Sequence, residues 1–150
     1  MMLKGLDPLL TPDLLWVLAA MGHGDDLALV DANFPAETVA RRTTSGRLVR
    51  MPGLTMARAA EAVLSLLPID TFVDDPVRRM EVVGDAVTLP PIQQEVQQVI
   101  DRAAGRALPL AGIERYAFYE AASRAFAVVQ VGDMRPYGCF LIRKGVVLAE

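Results

Sequence analysis

The sequence predicts one α/β domain over residues 1–150, with a mixed central sheet flanked by helices. Three observations predict it. Amphipathic helical stripes alternate with short, continuous apolar runs of strand length. The order is not a clean β-α-β repeat, so the strands are expected to run in mixed directions. A chain of 150 residues, with no repeat, linker or low-complexity segment, suits a single core.

The first helix opens at Thr11-Pro12-Asp13: Thr11 is a cap, Pro12 fits the first helical position and Asp13 favours the positive end. Leu14, Leu15, Val17, Leu18 and Met21 recur at helical spacing, and Gly22 is expected to end the helix in a left-handed conformation. Leu27 to Val30 reads as a buried strand, broken by Asn33-Phe34-Pro35. Arg47 to Arg50 is a short strand. Thr55 caps a second helix, through Ala57, Ala60, Val63, Leu64 and Leu67, which Pro68 stops. Val77 to Val83 is a strand closed by Gly84-Asp85. Pro90-Pro91 start a third helix with an Ile92, Val96, Val99, Ile100 stripe and a glutamine-rich polar face, ended by Gly105. The last third reads as extended from Ile113 to Ala117, helical from Phe118 to Arg124, and strand from Phe126 to Val131. A Gly132-Asp133 turn and a final strand at Phe140-Leu141-Ile142 close it.

Composition narrows the function classes. Hydrophobic residues make up 53% of the chain, yet the longest early apolar run, Leu14 to Met21, falls far short of the about 20 residues a membrane span needs. Asp7 and Pro8 interrupt any signal-peptide core. The apolar excess is better buried against other copies, so a homo-oligomer is expected. The single cysteine, Cys139, excludes an internal disulfide and suits a reducing compartment, with the cytoplasm as the default. One His and one Cys leave no zinc site within the chain, and no cofactor motif is present. A net charge of −3 gives no argument for nucleic acid; Arg41-Arg42 and Arg78-Arg79 read as parts of a solvated face.

Two clusters carry chemistry. His23, the only histidine, sits between glycines in Met21-Gly22-His23-Gly24-Asp25-Asp26, at an expected helix-to-strand turn. Histidine is the side chain best matched to proton transfer near neutral pH. Its bland reading is a structural residue that satisfies a carbonyl. Asp31 closes the strand that follows, where α/β proteins place site residues, although it also suits a cap for the Asn33 bend. Asp25 and Asp26 read as solvated or hydrogen-bonded turn residues, with two adjacent acids only weak grounds for a hard-cation site. The second cluster joins Arg115-Tyr116-Ala117-Phe118-Tyr119-Glu120 to Tyr137-Gly138-Cys139, which together hold all three tyrosines. Tyrosine faces and hydroxyls with a guanidinium fork suit a polyhydroxylated ring, against a core reading for Tyr116 and Tyr119. A buried, inert thiol is the simpler reading of Cys139 than a nucleophile.

These segments resemble the RbsD/FucU family of sugar mutarotases and pyranases. The resemblance runs through Leu3-Lys4-Gly5, Met21 to Asp25, Asp31-Ala32-Asn33-Phe34-Pro35, Phe118-Tyr119-Glu120 and Lys144-Gly145-Val146. Arg115 ahead of Phe118-Tyr119-Glu120 is similar to the L-fucose mutarotase branch, whereas the ribose branch carries a histidine there. The resemblance implies a cofactor-free isomerase with His23 as proton donor and Asp31 as its catalytic companion. It implies that Asp31, Arg115, Tyr119, Tyr137, Gly138 and Cys139 bind a monosaccharide. It also implies a ring-shaped assembly, often a decamer, with sites near subunit boundaries. Cys139 departs from the family pattern, which has asparagine after Tyr-Gly. Pyranose–furanose isomerisation of ribose type and a non-enzymatic sugar-binding accessory of a transport system are the alternatives.

Overall fold

The computed structural model describes residues 3–149. Helix α1 (Pro12–Ala20) begins as its sequence demands, with the Thr11 hydroxyl accepting the Leu14 N–H at 3.2 Å. It leads into strand β1 (Asp26–Val30) through the His23 turn. Then follow α2 (Ala36–Ala40), β2 (Leu48–Met51), α3 (Met56–Leu64), β3 (Val77–Met80), α4 (Pro91–Ala104), β4 (Ala111–Ile113), α5 (Arg115–Ser123), β5 (Ala127–Val131) and β6 (Phe140–Arg143).

The six strands form one sheet in the order β2-β5-β1-β6-β3-β4. β2, β5 and β1 run parallel, as do β3 and β4, while β6 is antiparallel to both of its neighbours. The expected mixed sheet is therefore present. β1 is buried on both faces, as parallel strands between helices are. Leu27 and Leu29 join a core with Val17 of α1, Met56 and Val63 of α3, and Ile92 and Val96 of α4. Ala28 and Val30 join a second core with Val39 of α2 and Phe118 and Ala122 of α5. The result is a helix–sheet–helix sandwich. Among the described residues no helix is long and apolar enough to cross a membrane.

Several local expectations are corrected. Gly22 is not left-handed: Met21 caps α1 in extended geometry, and the positive φ of 88° falls at Gly24. There the missing Cβ lets the turn lie against the Arg143 guanidinium. α3 stops at Leu64, short of Leu67. β3 ends at Met80 because its partner β6 starts at Phe140, opposite Arg79, and offers nothing to pair with Val82 or Val83. Residues 115–117 are helical, not extended: the Glu114 carboxylate accepts the N–H groups of Tyr116 and Ala117, both at 3.0 Å, and so starts α5 there. The short α2 was not expected. Arg78 and Arg79 are not a solvated face. Arg78 is paired with Asp26 at 2.6 Å, and Arg79 is buried, donating to Gln93 Oε1 and the Ala86 carbonyl. Gln93 itself, on the helix face read as polar, is fully buried.

Candidate active site

The parallel strands deliver their C-terminal ends to one edge of the sheet. Because β6 is antiparallel, its N-terminal end arrives there too. Asp31 follows β1, Tyr137-Gly138-Cys139 precede β6, Met80 ends β3, and Arg115 follows β4. Ligands in α/β sheets bind outside such strand ends. A cavity of about 230 Å³ lies here, lined by Asp31, Asn33, Phe34, Met80, Arg115, Tyr119, Pro136, Tyr137 and Cys139. That is below the about 300–1,000 Å³ of pockets for drug-sized ligands and suits a molecule no larger than a single sugar ring.

Asp31 is its buried acid, only 2% exposed. Oδ1 accepts the Asn33 N–H at 2.9 Å; Oδ2 accepts the Gly138 N–H at 2.9 Å and faces the Cys139 thiol at 3.5 Å. Burial pushes the carboxyl above its ordinary range, against the pull of the Asn33 and Gly138 amides and the thiol. Such a carboxyl retains lone pairs for a ligand hydroxyl. Burial also pushes the Cys139 thiol well above its ordinary value, and the nearby Asp31 charge adds to the effect, so the sulfur stays neutral.

The opposite wall is aromatic. Arg115 Nε donates to the Tyr119 hydroxyl at 3.0 Å, and Tyr119 packs edge-on against Phe34. Tyr137 is the one described non-glycine residue with positive φ, at 65°. Its carbonyl accepts from Gln93 Nε2 at 2.9 Å, and its hydroxyl accepts from the Val83 N–H at 3.3 Å. This strained backbone turns Gly138 inward so that its amide meets Asp31. The Gly138 N–H is thus occupied by Asp31 rather than left for a ligand, and Gly138 does not line the cavity.

His23 lies elsewhere. It precedes β1, whereas Asp31 follows it, so the whole strand separates them, roughly 17 Å of extended chain. Asp31 therefore does not orient His23 within one protomer. That position belongs to Asp70, whose Oδ1 is 3.1 Å from His23 Nε2. Asp70 had no signal in the sequence: it follows no motif, and only the pairing of residues 69–70 with the end of β6 brings it to the His23 turn. Asn33, Phe34, Met80 and Pro136 were likewise not expected as cavity residues. Asp25 is a turn residue as expected, accepting the Gly22 N–H at 2.8 Å, while Asp26 opens β1.

Fold and cavity together define a small candidate site, of the size of one sugar ring, on a three-layer α/β sandwich. The chain belongs to the RbsD / FucU transport protein family, whose family model matches residues 4–147. It is 43% identical over 148 residues to the fucose mutarotase of Homo sapiens, covering 97% of this chain and 94% of that protein. The structure of FucU from Bifidobacterium longum superposes with a TM-score of 0.88 at 36% identity, over 97% of this chain and 100% of that one. The fucose mutarotase of Streptococcus pneumoniae, solved in complex with L-fucose, superposes with a TM-score of 0.86 at 32% identity, over 97% and 100% of the two chains.

Proposed function

We propose that this protein is an isomerase, a mutarotase that interconverts the α and β anomers of L-fucose or a related aldose. The observation that carries the reading is the Asp31 cavity: a buried acid facing an arginine–tyrosine wall, in a space sized for one sugar ring. It is supported by full-length similarity to fucose mutarotases, one of them solved with L-fucose. Arg115, Tyr119, Tyr137 and Cys139 contact the sugar in this reading, and Gly138 acts by fixing Asp31.

The chemistry needs one proton removed and one delivered. The proton leaves the anomeric hydroxyl as C1=O forms, and the C1–O5 electron pair moves to O5, which takes up a proton. The open aldehyde rotates about C1–C2, and the reverse steps close the other anomer. His23 and Asp31 are the two proton carriers. Since β1 separates them within one chain, the imidazole that serves a cavity is the partner subunit's His23. The reading therefore includes a homo-oligomer, ring-shaped and decameric as the resemblance implies. The exposed apolar side chains of Trp16, Phe72 and Val147 are surface that such an assembly would cover. The free, buried Cys139 suits the reducing cytoplasm.

Saturation-transfer NMR of anomer exchange with L-fucose tests this. His23→Asn should lower the catalysed exchange rate at least about 100-fold, the lower range of what a positioned acid–base group contributes, with the fold intact. Wild-type exchange in that variant would reject the reading. The same separation of His23 from Asp31 favours a second reading, a sugar-binding module without catalysis. L-fucose binding with no exchange above the spontaneous rate would establish it.

A further inference from the structure

Arg79 is a buried cation bonded to neutral groups. It sits in β3 between Phe140 of β6 and Gly112 of β4 and is only 6% exposed. Its Nη1 donates to Gln93 Oε1 at 3.3 Å and its Nη2 to the Ala86 carbonyl at 2.7 Å, while Nε has no partner among the described residues. Taking a guanidinium out of water without a carboxylate to meet it is costly. Such a cost, kept beside a cavity, points to a function.

Both arms of Arg79 lead to Tyr137. A guanidinium only donates, so it fixes the Gln93 amide with its oxygen toward Arg79 and its NH2 group away. The two amide protons then reach the Met80 carbonyl at 2.7 Å and the Tyr137 carbonyl at 2.9 Å. The reversed amide would set an oxygen against two carbonyl oxygens. The second arm runs through the segment between β3 and α4. The Asp85 N–H closes a turn on the Val82 carbonyl at 3.0 Å, and the Val83 N–H donates to the Tyr137 hydroxyl at 3.3 Å. Residues 83–88 are exposed, and the Ala86 bond to Arg79 ties them to the sheet. Tyr137 is thereby held at its carbonyl and at its hydroxyl, which is what a positive φ of 65° requires of its surroundings.

We propose that Arg79 is a positioning residue for the Asp31 cavity, holding both ends of Tyr137 through Gln93 and the turn at residues 82–86. The proposal rests on the reading of Tyr137 as a sugar contact. Arg79 does not itself line the cavity, so it acts only through others. Gln93 is its relay, fully buried on α4, and both carbonyls that Gln93 holds belong to cavity residues. Without Arg79 the Tyr137 backbone can relax from its strained conformation, carrying the ring and the Gly138 amide with it.

Arg79→Met and Gln93→Glu test this through KM and kcat for anomer exchange of L-fucose. Arg79→Met removes both arms and fills the space with an apolar chain, so the protein should stay folded. Gln93→Glu keeps the shape and gains an ion pair with Arg79, but sets an oxygen against the Tyr137 carbonyl. Each should raise KM about tenfold, the upper range for one hydrogen bond to the sugar, with kcat much less affected. Arg79→Lys, which keeps one donor arm, should fall in between. A merely structural role would lower the active fraction, and so kcat, with KM unchanged. That result, or a wild-type KM in either folded variant, would overturn the proposal. In the ¹⁵N-labelled wild type, both side-chain amide protons of Gln93 should exchange with water as slowly as buried backbone amides. Rapid exchange there would overturn the proposal whether or not the variants fold. A Tyr137→Ala protein with wild-type KM would instead overturn the underlying reading, a result the amide exchange does not depend on.

Discussion

Gly138→Ala probes how closely the cavity acid is held. Gly138 threads between α4 and the end of β1. A Cβ there would overlap Ile92 Cδ1 and come within 3.3 Å of Asp31 Cβ, with Ile92 itself only 1% exposed. The φ of Gly138 is not positive, so the substitution meets steric resistance alone. Overpacking a buried site of this kind costs about 1–3 kcal/mol. The backbone can yield only by carrying the Gly138 amide away from Asp31 Oδ2, which lengthens the 2.9 Å hydrogen bond and lowers sugar affinity as well as stability. Ile92→Val removes the atom that collides. Alone it should cost about 0.5–1.5 kcal/mol as a small cavity. In combination with Gly138→Ala it should relieve the overlap, giving a favourable coupling of roughly 0.5–3 kcal/mol. The assay is denaturant unfolding of the four proteins at one fixed subunit concentration, alongside KM from saturation-transfer exchange. Additive costs, or a Gly138→Ala protein with wild-type stability and KM, would refute the reasoning that Gly138 is needed to seat Asp31.

Three other outcomes are expected. Asp133 caps α3 through the Met56 N–H and pairs with Arg135, which lowers its pKa to about 2, chiefly through the Arg135 hydrogen bond. A depressed carboxyl stabilises the fold above its unfolded pKa and loses that contribution as pH falls through about 2. Asp133→Asn should therefore lower unfolding free energy by about 2 kcal/mol at pH 7 and by progressively less between pH 4 and 2, read from thermal or denaturant curves; a pH-independent deficit would contradict it. Cys139→Ser should keep exchange activity, whereas Cys139→Asn should shift relative rates among L-fucose, D-ribose and galactose by about 1–3 kcal/mol. Inactivation by Cys139→Ser would point to a catalytic thiol instead. Light scattering at micromolar concentration should give a mass many times the 16.3 kDa subunit, and a monomer mass would reject the assembly.

What the sequence determined by itself is local. Thr11 with Pro12, and Thr55, start α1 and α3 because a hydroxyl and the next turn's amides are neighbours along the chain. Gly105 ends α4 in the left-handed geometry only glycine takes cheaply, and the apolar run from Leu27 is buried on both faces. Asp31, Arg115, Tyr119, Tyr137 and Cys139 were legible as candidate site residues, and the structure gathers these five at one cavity. Local signals misled where side chains compete for the backbone: Glu114 begins α5 at residues that read as extended. Only the tertiary structure decided which long-range partners each group meets. Gln93 is buried because Met80 of β3 and Tyr137 offer it their carbonyls, and Arg79 because the Gln93 amide and the Ala86 carbonyl accept from it, partners 7 to 44 residues apart in sequence. Asp70 reaches His23 across 47 residues because the chain after α3 pairs with the end of β6. The same topology sends His23 and Asp31 to opposite ends of β1. Two residues eight apart in sequence, which a linear reading joins, are parted because an extended strand between them leaves no way to fold back.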